Sequence, residues 1–156
     1  MIDHSSGLAF FSSSIGSFDE RGNAGDRATL PLRSDEHVVG LRKAVRDRAI
    51  GIGLSLVDQT KLITAASELA RNTLKYGGGG EVTAITLSDH VRRGICLTFI
   101  DAGPGIADIE QALTDGFTSG GGLGLGLGGA KRLVDAFEIR SKPGEGTVVS
   151  ILKWKR

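Results

Sequence analysis

The run EVTAITLSDHVRRGICLTFID, residues 81–101, holds two segments rich in β-branched residues, 81–88 and 93–101, on either side of the short polar stretch DHVR. Two β-forming runs parted by a few polar residues predict a hairpin, and so tight a connection makes the pair antiparallel. Asp101 stands where the second strand ends. Immediately upstream, residues 58–76 carry Leu62, Ala66, Leu69 and Thr73 at helical spacing and stop at the glycine run 77–80, which predicts a long amphipathic helix. Before it, HVVGLRKAVRDRAI repeats Val38, Leu41, Val45 and Ile50 at near-helical intervals, capped by Ser34 or Asp35 and ended by GIG at 51–53. ATLPLR, 28–33, alternates weakly and contains Pro31, as a short edge strand does. Residues 1–26 are rich in Ser and Gly around one apolar patch, 8–11, and read as a flexible tail ahead of a domain over 27–156.

Downstream, a short helix is expected around 108–113. A glycine-rich loop, 119–126, should run straight into a helix reaching Phe137, and EIRSK with GTVVSILKW should close the chain as a hairpin around Pro143 and Gly144. Paired strands outnumber strand–helix–strand crossovers in this order. The fold class is therefore α+β, a two-layer α/β sandwich with helices on one face of a mostly antiparallel sheet.

At 156 residues the chain is long enough for one core without disulfides or metal. Nineteen Lys and Arg against eighteen Asp and Glu leave a net charge of +1, without the broad positive field that gathers nucleic acid or anionic membrane. A single cysteine, Cys96, excludes an internal disulfide, and three scattered histidines, His4, His37 and His90, make no zinc constellation. With no apolar run near the roughly 18 residues of a membrane span, and no signal-like start, a cytoplasmic location is expected. Glycine is the one strong deviation, 24 of 156 residues, about double the usual share of ~7%. Most of it is clustered between apolar segments, which suggests backbone wrapped around a ligand.

Three clusters carry chemistry. GGGLGLGLGG, 120–129, opens a helix, whose free N–H groups and positive dipole end suit a phosphate. A plain linker would not thread Leu123, Leu125 and Leu127 between its glycines. Gly124, Gly126 and Gly129 also match GxGxxG, but no strand precedes them directly, so a dinucleotide-binding turn fails on context, and no P-loop sequence exists. DAGPGI, 101–106, puts a carboxylate at a strand end, where Asp101 can accept from the exocyclic amine of a purine above a floor kept flat by Gly103 and Gly105. Alone it reads equally as a β-turn. SELARN, 67–72, sets Glu68 and Asn72 one helical turn apart with Lys75 beyond. Glu68 could act as base, Asn72 could ligate Mg²⁺ and Lys75 could meet phosphate, although such a trio is ordinarily a solvated helix face.

Their order, ExxxN on a helix, DxGxG after a strand, GxGxG into a helix, then GxGT at 144–147, resembles the GHKL ATP-binding family of gyrase B, Hsp90, histidine kinases and MutL. SELARN, DAGPGI, DGFTSGGGLGLGLGGAKRLVD and GEGT with ILKW are most similar to the RsbT group of switch serine/threonine kinases, relatives of the anti-sigma-factor kinases. The resemblance covers residues 28–156 and implies the Bergerat ATP-binding fold, with ATP and Mg²⁺ between the long helix and the glycine loop. It further implies Glu68 as catalytic base and Asn72 as the Mg²⁺ ligand. Asp101 would take the adenine amine with Gly103 and Gly105 beside it, and Thr147 would help hold the base. Gly121, Gly122, Leu123, Gly124, Leu125 and Gly126 would form the phosphate turn at the end of a short lid, 107–121. Gly128 departs from the proline common in relatives, which loosens the first turn of the following helix.

The activity so implied is transfer of the ATP γ-phosphate to a STAS-domain regulatory protein of a partner-switching or stressosome circuit, after which the freed kinase can bind a phosphatase or other effector. The alternative is a non-catalytic, nucleotide-dependent anti-sigma factor or adaptor. Hydrolysis coupled to motion would need transducer domains that this length does not hold. On the first helix Arg42 and Arg46 share one face with Lys43 and Arg48 nearby, a docking site for the protein substrate or simply a solvated face.

Overall fold

A computed structural model of the chain describes residues 24–88, 91–114 and 126–156, with the backbone alone at 24–26. The expectations for the tail at 1–23, for His4 and His90, and for Gly121, Gly122, Leu123, Gly124 and Leu125 lie outside the described residues. Five strands, β1 (Ala24–Leu32), β2 (Gly80–Ser88), β3 (Arg93–Asp101), β4 (Ala136–Ser141) and β5 (Thr147–Trp154), form one sheet in the order β1-β2-β3-β5-β4. Every neighbouring pair is antiparallel. The helices are α1 (Asp35–Ile52), α2 (Leu56–Lys75), α3 (Ile109–Ala112) and α4 (Gly126–Arg132). The expected α+β sandwich with a hairpin at 81–101 is what forms, and β1 starts at Ala24, inside the stretch expected to be tail.

The core is the seam between the sheet and α1 and α2. Val82 and Ala84 of β2, Ile95, Leu97 and Phe99 of β3, and Val149 and Ile151 of β5 alternate toward it and meet Leu41, Val45, Leu62, Ala66 and Leu69. Helix α2 buries all four residues of its expected stripe, Leu62, Ala66, Leu69 and Thr73, and is capped by Ser55, whose hydroxyl accepts from Asp58 N–H at 3.1 Å. On α1 the stripe is Val38, Leu41, Val45, Ala49 and Ile52, while Ile50 is 57% exposed. The expected Ile50 was out of phase: after Val45 the 3.6-residue repeat returns at position 49, which puts Ile50 a full helical step round. Gly53, at φ +84°, ends the helix with its N–H on Ile50.

The second correction concerns α4, which stops at Arg132 rather than continuing through Phe137. Phe137 belongs to β4, and the chain is turned at Asp135. Its N–H donates to Leu152 O at 2.9 Å, and its carboxylate accepts from Trp154 N–H at 2.7 Å and pairs with Arg156. On the other side of the sheet Ile85, Leu87, Cys96 and Leu152 form a smaller apolar cluster. Burial pushes the Cys96 thiol up to about 12, so it is unreactive. Among the described residues no helix is long and apolar enough to cross a membrane.

Candidate active site

One row of residues runs across the end of the sheet. The registers pair Gly80 with Asp101, Asp101 with Thr147, and Thr147 with Ser141. Residues level with one another on neighbouring strands point to the same face, and here that face lies beneath the C-terminal half of α2. Above the row is a cavity of about 770 Å³ whose walls include Glu68, Asn72, Lys75, Asp101, Gly105, Gly126 and Thr147, a volume within the range that holds a small-molecule ligand.

Asp101 is fixed by two backbone donors, Gly103 N–H at 2.9 Å and Thr147 N–H. Burial raises its carboxyl above the ordinary value, and those two hydrogen bonds oppose the rise. Gly103 does not line the cavity; it holds the Asp101 carboxylate from below. Gly77, which sequence reasoning assigned only to a helix stop, is part of the same joint. A Cβ there would lie 2.4 Å from Asp101 Cγ, and a Cβ on Gly103 would lie 2.7 Å from Gly77 Cα. The end of α2 and the DAGPGI turn therefore interlock through two bare backbones. No spacing rule marks Gly77, because its partner is 24 residues away across the fold.

Gly105, at φ +77°, presses on Lys142, where a Cβ would meet the carbonyl oxygen at 2.1 Å. Gly144 N–H donates to Pro104 O at 2.7 Å, and Ile106 N–H donates to Ser141 Oγ at 2.7 Å. The turn is thereby stapled to the β4–β5 hairpin.

At the opposite wall Glu68 is 8% exposed. Its Oε1 accepts from Gly126 N–H at 3.0 Å, at the start of α4, and its Oε2 pairs with Arg71 at 3.5 Å. Asn72 lies one turn further along α2, half-buried on the same wall. Lys75 is exposed at the rim, its ammonium 5.3 Å from the centre of the Tyr76 ring. Thr147 is buried, its hydroxyl 2.8 Å from that of Ser141. The structure thus brings Glu68, Asn72, Lys75, Asp101, Gly105, Gly126 and Thr147 around one space. His37, expected to be incidental, accepts from Arg33 N–H through Nδ1 at 2.9 Å, at the start of α1 and away from that space. Among the described residues no group of three or more His, Cys, Asp and Glu is placed to hold a metal ion.

The profile of the family described as "Histidine kinase-, DNA gyrase B-, and HSP90-like ATPase" matches residues 57–156. The chain is 40% identical over 131 residues to "Serine/threonine-protein kinase RsbT" of Bacillus subtilis (strain 168), covering 84% of this chain and 98% of that protein. It is 33% identical over 95 residues to "Anti-sigma F factor" of Thermoanaerobacter sp. (strain X514), covering 58% of this chain and 66% of that one. Among solved structures, that of the RsbU and RsbW domains of Rv1364c from Mycobacterium tuberculosis superposes with a TM-score of 0.58 at 20% identity, over 85% of this chain and 33% of the other. That likeness supports the fold alone. The cavity walled by α2, the DAGPGI turn and α4 is matched along its whole length by the profile, and the chain belongs to the histidine kinase-, DNA gyrase B- and HSP90-like ATPase family, on the branch of the RsbT serine/threonine kinase.

Proposed function

We propose that this chain is a small cytoplasmic serine/threonine protein kinase, with its ATP-binding domain, expected over 27–156, beginning at the first residue of β1, Ala24. It transfers the ATP γ-phosphate to a STAS-domain regulatory protein of a partner-switching or stressosome circuit. The observation that carries this reading is the common cavity of Glu68, Asn72, Asp101 and Thr147, with Glu68 joined to the first residue of α4. A carboxylate base, an amide oxygen and a base-reading carboxylate then stand in the order that a nucleotide lying from Asp101 toward Gly126 requires.

In this reading Asp101 accepts from the adenine amine, with Gly103 holding its carboxylate and Gly105 keeping the turn close. Thr147 supplies a hydroxyl to the same edge. Phosphates lie toward Gly126, with Lys75 reaching them from the rim. Asn72 offers a single neutral oxygen on the cavity wall, which suits Mg²⁺, an ion that keeps waters and takes substrate phosphate oxygens rather than an all-protein cage. When bound, that ion would neutralise charge developing on the phosphates. Glu68 takes the proton of the acceptor Ser or Thr hydroxyl as its oxygen bonds to the γ-phosphorus; the bond to the β-phosphate oxygen breaks and ADP leaves. The freed kinase would then be available to a phosphatase or other effector.

The test is incubation with labelled ATP, Mg²⁺ and the STAS proteins encoded nearby. Label on serine or threonine of one of them is the expected result. Tight ATP-dependent binding without transfer would instead favour the adaptor.

A further inference from the structure

We infer that Ser141 sets the direction of the Thr147 hydroxyl, turning the base end of the cavity into an edge of acceptors that selects an amino-purine. The inference deepens the adenine reading above and rests on it.

Ser141 ends β4 directly opposite Thr147 in the register. Three polar groups converge on its hydroxyl. Ile106 N–H donates to Oγ at 2.7 Å, Oγ–H donates to Gly146 O at 3.0 Å, and Thr147 Oγ1 lies 2.8 Å away. A serine hydroxyl has one proton and two lone pairs. With its proton on Gly146 and one lone pair taken by Ile106, the remaining lone pair can only accept, so Thr147 is the donor in that bond. The Thr147 proton is then turned toward Ser141 and away from the cavity. What Thr147 offers a ligand is oxygen lone pairs.

Asp101, level with Thr147 on β3, is already an acceptor. Its two backbone donors, Gly103 and Thr147 N–H, use part of its capacity and supply no proton to the cavity. The edge formed by Asp101 and Thr147 therefore presents acceptors to whatever lies against it. An exocyclic amine, with two N–H donors, satisfies such an edge. A purine with a carbonyl at that position sets its oxygen against this edge, its ring N1–H can serve only one of the two acceptors, and a buried acceptor left without a partner is costly. Ser141 touches no ligand in this account. It is a positioning residue that acts through Thr147, and the contact with Ile106 is a separate, structural task.

The experiment compares ATP with ITP, which carries a carbonyl in place of the amine and a hydrogen on ring N1, by competition titration on the full chain and on Ser141→Ala, Thr147→Val and the double variant. Wild type should prefer ATP. Ser141→Ala frees the Thr147 proton to meet the ITP carbonyl and should cut that preference about fivefold, the factor carried by one neutral hydrogen bond. In the Thr147→Val background the same change should alter the preference by less than about twofold, because the hydroxyl it acts through is gone. Ser141→Cys, which fills the space with a poor hydrogen-bonding group, serves if the alanine variant does not fold and should behave like it.

Loss of affinity for both nucleotides by one factor, in both backgrounds, would mean that Ser141 only braces the turn, and would overturn the inference while leaving the adenine reading intact. A wild type indifferent to ATP and ITP would overturn both.

Discussion

Glu68 Oε1 accepts a 3.0 Å hydrogen bond from the backbone N–H of Gly126, 58 residues further along the chain. The contact joins the long helix to the residue at which the glycine run becomes α4, and it holds the one carboxylate that the proposed mechanism uses as a base. It also lets base chemistry be separated from placement. Glutamine keeps an oxygen for Gly126 but cannot take a proton; alanine loses both. Glu68→Gln should lower phosphoryl transfer about 10²-fold or more, the usual scale for a general base, with ATP still bound. Glu68→Ala should in addition lower the melting temperature, and Asn72→Ala should weaken Mg²⁺-dependent ATP binding itself. Transfer by Glu68→Gln at the wild-type rate would end the kinase mechanism and favour the adaptor.

Asp101 gives a pH signature. Because burial raises its folded-state pKa, the ionised form costs the ligand-free fold something near neutral pH, and that cost fades as pH falls through the raised value and the carboxyl takes up a proton. Binding runs the other way. The protonated carboxyl is a poorer acceptor for the adenine amine, so acidification removes what Asp101 contributes to affinity. The ratio of ATP affinities between wild type and Asp101→Asn should therefore be largest near neutral pH and shrink toward the ordinary aspartate range of about 3.9. At neutral pH Asp101→Asn should also erode the preference for ATP over GTP. Affinity titrations at several pH values, with the variant as reference, cancel titration of the phosphates themselves; a constant ratio would remove Asp101 from base recognition.

The joint between Gly77 and Asp101 separates space from conformation. At Gly77 an added Cβ collides with the Asp101 side chain at 2.4 Å, whereas at Gly78 it meets nothing within 4 Å but must adopt φ +73°. Gly77→Ala should displace Asp101 and weaken ATP binding at least about tenfold, the loss of a well-placed hydrogen bond to a charged group. Gly78→Ala should cost about 1 kcal/mol of stability with ATP affinity near wild type. Calorimetric titration and thermal melts on both variants check this. Unchanged ATP affinity in Gly77→Ala would mean that the displaced carboxylate had no role in binding.

Much of this was legible in the sequence because the signals were local. The stripe Leu62, Ala66, Leu69, Thr73 and the hairpin at 81–101 depend only on residues near each other, and both form. Spacing alone left Glu68 and Asn72 on a solvated helix face and DAGPGI as a plain turn; it was the resemblance of their order to the ATP-binding family that marked them. What stayed hidden depends on distant partners. LVDAF after Arg132 continues an apolar pattern that a helix could use, and only the bonds from Asp135 to Leu152 and Trp154 turn it into β4. Gly77 and Ser141 gain their meaning from Asp101 and Thr147 across the sheet. Serine before a Pro-Gly turn carries no mark of the three bonds that its hydroxyl makes.

Helix α1 raises the question of how a protein substrate reaches this site. Arg42 and Arg46 are exposed one turn apart, while the neighbouring Asp47 is taken by Lys43 at 2.8 Å. The acidic residue nearest in sequence is thus engaged elsewhere, and the two arginines project a local positive field from a chain whose net charge is only +1. Charges at the edge of an interface act mainly on the rate of association and its salt dependence. If this face steers an acidic patch of the STAS partner toward Glu68, replacing both Arg42 and Arg46 by alanine should slow phosphorylation of the protein substrate several-fold at low salt. The effect should shrink as salt rises past the point where the Debye length falls below about 8 Å. Nucleotide affinity should be unchanged, since neither side chain lines the cavity. Phosphorylation rates measured at matched ATP saturation across an ionic-strength series decide the matter. A double variant that follows the wild-type curve at every salt concentration places the docking face elsewhere on the molecule.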